Sequence, residues 1–149
     1  MQQLLRYLVP VIPVVLVAAV CTMSFGGSEE KPKEFNVYPI GYVKKADGKT
    51  MIVLDKKYEP GLLRMEKQSE IWVLWWFDKN DTPEKRSILQ VHPRGNPDNP
   101  LTGVFATHSP VRPNLIAMTR CKIISVKDNV IEIESIDAFD ETPVLDIKS

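Results

Sequence analysis

The sequence predicts an all-β (β-dominated) barrel-like domain preceded by an N-terminal apolar helix. Three observations carry this reading. Extended runs rich in Ile, Val, Tyr and Trp recur through residues 38–149, and turn residues separate them. No long helical pattern alternates with these runs, which disfavours a doubly wound nucleotide fold. Residues 8–25 form an uncharged, almost wholly apolar stretch that resembles nothing after it. The chain divides into an apolar leader (1–27), a linker (28–37) and one domain (38–149).

The leader comes first. Met1 to Arg6 is a short polar start with one positive charge, and Leu8 to Phe25 carries no charge. A helix rising 1.5 Å per residue needs roughly 20 apolar residues to span a bilayer core, so residues 7–25 sit at the lower limit. The same layout matches a secretory signal, with a cut near Ser24-Phe25-Gly26. Lipid attachment at Cys21 is a third reading, weakened by Val20 where a small residue is the norm. Arg6 before the segment and Lys31 and Lys33 after it give no clear orientation. The lone Arg6 slightly favours a domain outside the cytoplasm, either membrane-anchored or exported. Gly26 to Lys33 reads as a flexible polar linker.

The strands follow in order. Ile40–Lys45 and Thr50–Leu54 flank Ala46-Asp47-Gly48-Lys49, and Asp-Gly between extended runs predicts a hairpin because both turn positions want positive φ. Pro60–Lys67 has room for one short helix. Ile71–Phe77 is continuously apolar and aromatic, the pattern of a strand buried on both faces. Trp72, Trp75 and Trp76 are therefore expected in the core. Ile88–His92 reads as a short fourth strand. Six of the chain's twelve prolines cluster between Pro83 and Pro113, so that stretch is expected to be loop with stiff corners. Ile116–Val126 and Val130–Ile136 flank the turn Lys127-Asp128-Asn129. In the second of these, Ile131 and Ile133 alternate with Glu132 and Glu134, giving one buried and one wet face.

Composition narrows the chemistry. Lys plus Arg equals Asp plus Glu, so the formal net charge is zero and no basic stripe supports autonomous nucleic-acid binding. The two cysteines form no CxxC pair and no zinc spacing, and the two histidines lack a set spacing, so no metal site is predicted. Cys121, between Arg120 and Lys122, reads as a strand residue. No GxGxxG or GxxxxGK[ST] phosphate loop occurs.

One stretch is too specific for composition to explain: Gly103-Val104-Phe105-Ala106-Thr107-His108-Ser109-Pro110-Val111-Arg112-Pro113-Asn114. It closely resembles the signature loop of the TsaA-like family. Ile40-Gly41-Tyr42-Val43 resembles that family's first strand, and Ser69 to Leu74 resembles its aromatic strand. Asp137-Ala138-Phe139-Asp140-Glu141-Thr142-Pro143-Val144-Leu145-Asp146-Ile147-Lys148 is similar to its closing segment. Order and spacing agree across about residues 38–149.

The resemblance implies a TsaA-like barrel that binds S-adenosylmethionine in a pocket near or across a homodimer interface. It implies methyl transfer to N6 of threonylcarbamoyl-adenosine in tRNA, if the domain faces the cytoplasm. The implied cofactor-binding residues are Asp78, Thr107, His108, Ser109, Arg112, Asn114, Met118, Asp137, Asp140 and Thr142; no catalytic residue is assigned. Their chemistry suits the task. Methyl transfer from a sulfonium is an in-line displacement, governed mainly by positioning. Arg112 can grip a carboxylate or phosphate with two bonds. Asn114 can both donate and accept. Asp137 and Asp140 can accept from ribose or amine and face a cationic sulfonium. Thr142-Pro143 fixes the closing turn, and His92-Pro93-Arg94-Gly95 is placed to line the same mouth. Plainer roles compete: Arg112 and Asn114 as loop braces, Asp137 and Asp140 as ordinary turn residues.

The chain departs from the family pattern at four places. His108 stands where the family has arginine. Leu115-Ile116-Ala117 replaces Pro-Ile-Gly, and Glu141 replaces glycine. The cofactor-contacting loop after the first strand is missing, because Lys45 runs straight into the Asp47-Gly48 turn. These departures support an alternative: a non-catalytic, membrane-tethered or exported ligand-binding module that kept the fold and lost methyl transfer.

Overall fold

Eight strands form in the computed structural model, which describes residues 33–149. They are β1 (Gly41–Ala46), β2 (Lys49–Leu54), β3 (Glu70–Trp76), β4 (Gln90–Val91), β5 (Thr102–Gly103), β6 (Ile116–Lys127), β7 (Val130–Ile133) and β8 (Pro143–Lys148). Six of them close into a barrel in the order β1-β2-β7-β6-β3-β8, with every recorded pairing antiparallel. β4 and β5 pair separately as a short ribbon. The leader segment 7–25 lies outside the described residues. Among those described, no helix is long and apolar enough to cross a membrane.

Turn chemistry explains the hairpins. Asp47 and Gly48 have φ of 52° and 74°, as a two-residue hairpin turn with right-handed strand twist requires. At the β6–β7 turn Asp128 takes φ 53°, and Asn129 donates from its side chain to the Leu54 carbonyl, tying this hairpin to the first. Leu54 N–H donates back to the Asn129 carbonyl at 2.9 Å.

Alternation fills the barrel. Val43, Ile52, Ile71, Val73, Ile131, Ile133 and Val144 are each 0–1% exposed and point inward from five strands. Gly41 marks the tightest approach. It pairs with both Leu54 and Val144, and a Cβ there would lie 2.3 Å from the Val53 carbonyl oxygen. Only a residue without a side chain lets the strands converge this closely.

Several expectations need correction. β3 is buried on one face only: Ile71, Val73 and Trp75 are buried, Leu74 and Trp76 are half-buried, and Trp72 is exposed. A small barrel has one interior, so bulky residues on the other face remain outside whatever their hydropathy. Trp75 alone of the three tryptophans joins the core. The strand expected over Ile88–His92 shrinks to Gln90–Val91 and pairs with β5 outside the barrel. Instead of one short helix over Pro60–Lys67, 3₁₀ turns at Lys56–Leu62 and Met65–Lys67 overlap that stretch, and the first buries Leu62. β7 stops at Ile133, short of Ile136. Two strands were not read from the residue pattern: β5, only two residues long, and β8, whose period Pro143 and Asp146 obscure; β8 pairs with both β3 and β1 and closes the barrel.

β6 is the longest strand and serves two neighbours in turn. Ile116–Lys122 pairs with β3, and Ile123–Lys127 pairs with β7. Because β7 ends opposite Ile123, the first half of β6 has a ladder partner on the β3 side alone. This early half of β6 carries the site.

Candidate functional site

A cavity of about 1000 Å³ runs along the first half of β6, lined by Ile116, Ala117, Met118 and Thr119. Three other segments wall it. Phe77 to Asn80 follows the end of β3, Phe105 to Arg112 comes from the proline-rich loop, and Asp137 to Phe139 comes from the turn before β8. Lys45, at the end of β1, completes the wall. The signature loop and the late acidic turn thus face one cavity, although 23 residues and a full hairpin separate Pro113 from Asp137.

Local bonds shape the signature loop. Thr107 Oγ1 donates to the Val104 carbonyl at 3.0 Å and accepts from Ser109 N–H at 3.2 Å. Ser109 Oγ accepts from Val111 N–H at 3.3 Å. These are short side-chain turns of the kind Ser and Thr favour, and prolines at 110 and 113 stiffen what lies between. Arg112 Nη1 donates to the Thr107 carbonyl at 3.4 Å, folding the guanidinium back across the loop toward the cavity. The brace expected of Arg112 and the cavity position therefore coexist in one side chain.

The acidic turn is tied to β1. Asp140 Oδ1 accepts from Lys45 N–H at 2.8 Å, and the Ile136 carbonyl accepts from Lys45 Nζ at 3.2 Å. Glu141 N–H donates to the Val43 carbonyl at 2.8 Å. Glu141 itself has φ 65°, the left-handed conformation that glycine adopts at least cost. At the other rim Lys79 Nζ meets Asp78 Oδ2 at 2.9 Å. Among the described residues, Lys45 and Arg112 form no recorded ion pair, and they share the cavity wall with the carboxylates of Asp78 and Asp137. Trp75 floors the site, donating from Nε1 to Thr119 Oγ1 at 3.0 Å and meeting Phe77 edge-on at 4.7 Å between ring centroids. Phe105 and Phe139, 77% and 70% exposed, stand on the wall from the two loops.

The ten residues named from the sequence separate cleanly. Asp78, Thr107, His108, Arg112, Met118 and Asp137 line the cavity. Ser109 shapes the loop behind it. Asp140 is exposed and holds the turn to β1. Asn114 is exposed and off the wall, and Thr142 is 1% exposed with its hydroxyl unpartnered in the interior. His92 also lies off the wall, its Nδ1 2.7 Å from the Asn99 carbonyl. Sequence reasoning missed Lys45, Phe105 and Phe139 as wall residues. A usable signal existed for the two phenylalanines: each is a large aromatic inside an otherwise polar loop or turn, where no strand period assigns it to a core. Cys121 is buried on β6, where desolvation raises its thiol to a pKa of about 11, so it is not a reactive thiol near neutrality.

Residues 31–149 match the model of the tRNA-methyltransferase O N-terminal domain. The chain belongs to this family. It is 48% identical over 110 residues to a probable S-adenosyl-L-methionine-binding protein of Methanocaldococcus jannaschii, covering 74% of this chain and 87% of that one. Over 90 residues it is 41% identical to the human tRNA (adenine(37)-N6)-methyltransferase, covering 60% of this chain and 20% of that protein. The crystal structure of TrmO from Pseudomonas aeruginosa superposes with a TM-score of 0.61 at 25% identity, covering 80% of this chain and 56% of that one. The chain therefore spans little more than half of the solved TrmO structure. The β-dominated barrel expected from the sequence forms here from six strands and matches the fold of that structure.

Proposed function

We propose that this domain binds S-adenosylmethionine in the cavity beside β6 and serves methyl transfer to an adenine of tRNA. The observation that carries the reading is the shared cavity itself, walled by the signature loop and the acidic turn. Its size lies at the upper end of the ~300–1000 Å³ usual for ligand pockets. The lining also fits the group. Asp78 and Asp137 offer carboxylates to hydroxyl or ammonium donors and to a cationic sulfur. Arg112 and Lys45 offer cations to a carboxylate. Phe77, Phe105 and Phe139 offer faces to a nucleobase. When bound, the cofactor supplies an electrophilic methyl group. The work of the protein is then to orient and to shield. The stapled Thr107–Arg112 loop holds its polar groups ready, and Trp75 and Ala117 close the inner end to water. The relatives named for S-adenosyl-L-methionine binding and for adenine(37)-N6 methylation support the cofactor and the substrate class. By resemblance, the methylated group is threonylcarbamoyl-adenosine, and the enzyme works as a homodimer.

Isothermal titration of the full chain in detergent tests this. Saturable S-adenosylmethionine binding is expected; no heat at millimolar cofactor overturns the proposal.

Two observations favour a second reading, a tethered binding module without methyl transfer. The β1–β2 connection is only the Asp47-Gly48 turn, and His108 occupies the wall where the family pattern has arginine. Residues 7–25 serve in that reading as a membrane anchor or export signal that places the domain outside the cytoplasm, away from tRNA. Protease added to intact cells separates the readings: digestion of the domain favours the module, and protection favours the enzyme.

A further inference from the structure

Arg86 lies outside the cavity, yet it joins the segments that form it. The sequence places it at the end of α1 (Pro83–Arg86), a single turn that Thr82 caps by accepting from Lys85 N–H at 3.3 Å, with Pro83 at the first helical position. That turn aims Arg86 back at the barrel. Its Nε donates to Asp81 Oδ1 at 2.7 Å, and its Nη1 donates to the Pro113 carbonyl at 2.9 Å. Its guanidinium sits 5.2 Å from the ring centroid of Trp76, whose Nε1 donates to the other Asp81 oxygen at 3.1 Å. One planar group thus contacts the end of β3, the segment after the Asp78–Asn80 rim, and the last proline of the signature loop.

We infer that Arg86 is a positioning residue: it latches the signature loop to the β3 rim and so sets the spacing of the two walls that receive the ligand. The ligand half of this inference rests on the function proposed above; the latch itself does not. Three features give it weight. Pro113 directly follows Arg112, whose guanidinium faces the cavity, so a shift at the Pro113 carbonyl is transmitted to Arg112 within one peptide unit. The backbone ties of the loop lie at its two ends, Val104 N–H to the Leu89 carbonyl at 3.0 Å and Phe77 N–H to the Leu115 carbonyl at 2.9 Å, and the Arg86 bond at Pro113 adds a side-chain tether between them. Pro113 has no N–H of its own to offer, so its carbonyl is the atom available for that tether. The Asp81–Arg86 pair is partly solvent-exposed and contributes little as an ion pair alone. Its function is geometric: the planar fork, gripped by Asp81 and stacked on Trp76, holds one N–H on the carbonyl.

Hydrogen exchange followed by mass spectrometry on the full chain, without ligand, reads the latch directly. The reporters are the Thr107, Ser109 and Val111 amides, all bonded within the loop. Arg86→Ala is expected to speed exchange of the 104–112 peptide by about tenfold or more, with the β6–β7 hairpin peptide unchanged. Arg86→Lys keeps a charge for Asp81 but cannot also hold the carbonyl in the same plane. It is expected to loosen the loop likewise while the melting temperature stays near wild type, and this variant decides the matter if Arg86→Ala fails to fold. Unchanged loop exchange in Arg86→Lys overturns the inference, as does acceleration shared equally by the hairpin. Where the wild-type chain binds S-adenosylmethionine, Arg86→Lys is expected to weaken that binding about fivefold or more. A loosened loop with unchanged affinity removes the ligand half. A wild-type chain that binds no donor refutes the proposed function and leaves the exchange result to judge the latch.

Discussion

Thr142 shows how a residue's chemistry depends on where its atoms end up. As a member of the closing motif it reads as a cofactor contact. In the fold it is 1% exposed, its Oγ1 has no recorded partner, and it does not line the cavity. A buried hydroxyl without a hydrogen bond costs about 1–3 kcal/mol. Thr142→Val removes that hydroxyl at nearly constant shape. The expected outcome is a gain of about 1 kcal/mol in urea unfolding, with S-adenosylmethionine affinity unchanged. A loss of affinity in a folded Thr142→Val protein would return this residue to the site. Neighbouring Glu141 holds a left-handed φ of 65° and pairs with Lys44. Its position was legible as a departure from glycine, but the backbone conformation it had to accept was not.

At the scale of elements, the two hairpins were legible because turn chemistry is local. Asp47-Gly48 and Asp128-Asn129 need only their own φ preferences to reverse the chain. Gly41 is a different case, since nothing local demands glycine in the first strand. The demand comes from β2, whose Val53 carbonyl oxygen and Leu54 Cα would lie 2.3 and 2.7 Å from an added Cβ. Both are main-chain atoms and cannot rotate away. Gly41→Ala is therefore expected to lower stability by about 3 kcal/mol, at the upper end of overpacking costs, because β1 must separate from β2. Urea unfolding monitored at the tryptophans checks this; a midpoint equal to wild type would show that the strands tolerate separation. The both-face burial expected of β3 failed at this same scale. Trp72 and Trp76 have the composition of core residues, but their pleat sends them to the outside of a closed sheet.

The cavity belongs to the whole molecule. Arg112 and Asp137 lie on segments separated by the β6–β7 hairpin, and only barrel closure brings them to one space. If both grip one ligand, each substitution alone, Arg112→Ala or Asp137→Asn, is expected to weaken S-adenosylmethionine binding about tenfold or more, as loss of a charged hydrogen bond does. The double variant is expected to lose less than the product of the two, because neither end holds the ligand in register without the other. Asn114→Ala, off the wall, is expected to bind as wild type. Calorimetric titration of the four proteins gives the comparison, and an unaffected Arg112→Ala would move the ligand elsewhere.

What the sequence by itself determined is whatever depends on near neighbours. The two hairpins follow from their turn residues, the inward isoleucines of β7 from alternation, and the stiff loop from its prolines. The run Gly103 to Asn114 was specific enough to point to the family. Only the tertiary structure decided which of these residues share a cavity. It joined Lys45 to the Asp137 turn, brought Phe105 and Phe139 to one wall, sent Thr142 inward and Asn114 outward, and placed Arg86 on the Pro113 carbonyl. The physical reason is that a strand pattern specifies two faces but not its partners. Closure through β8, a strand with a weak period, assigns those partners, and with them the space a ligand can occupy.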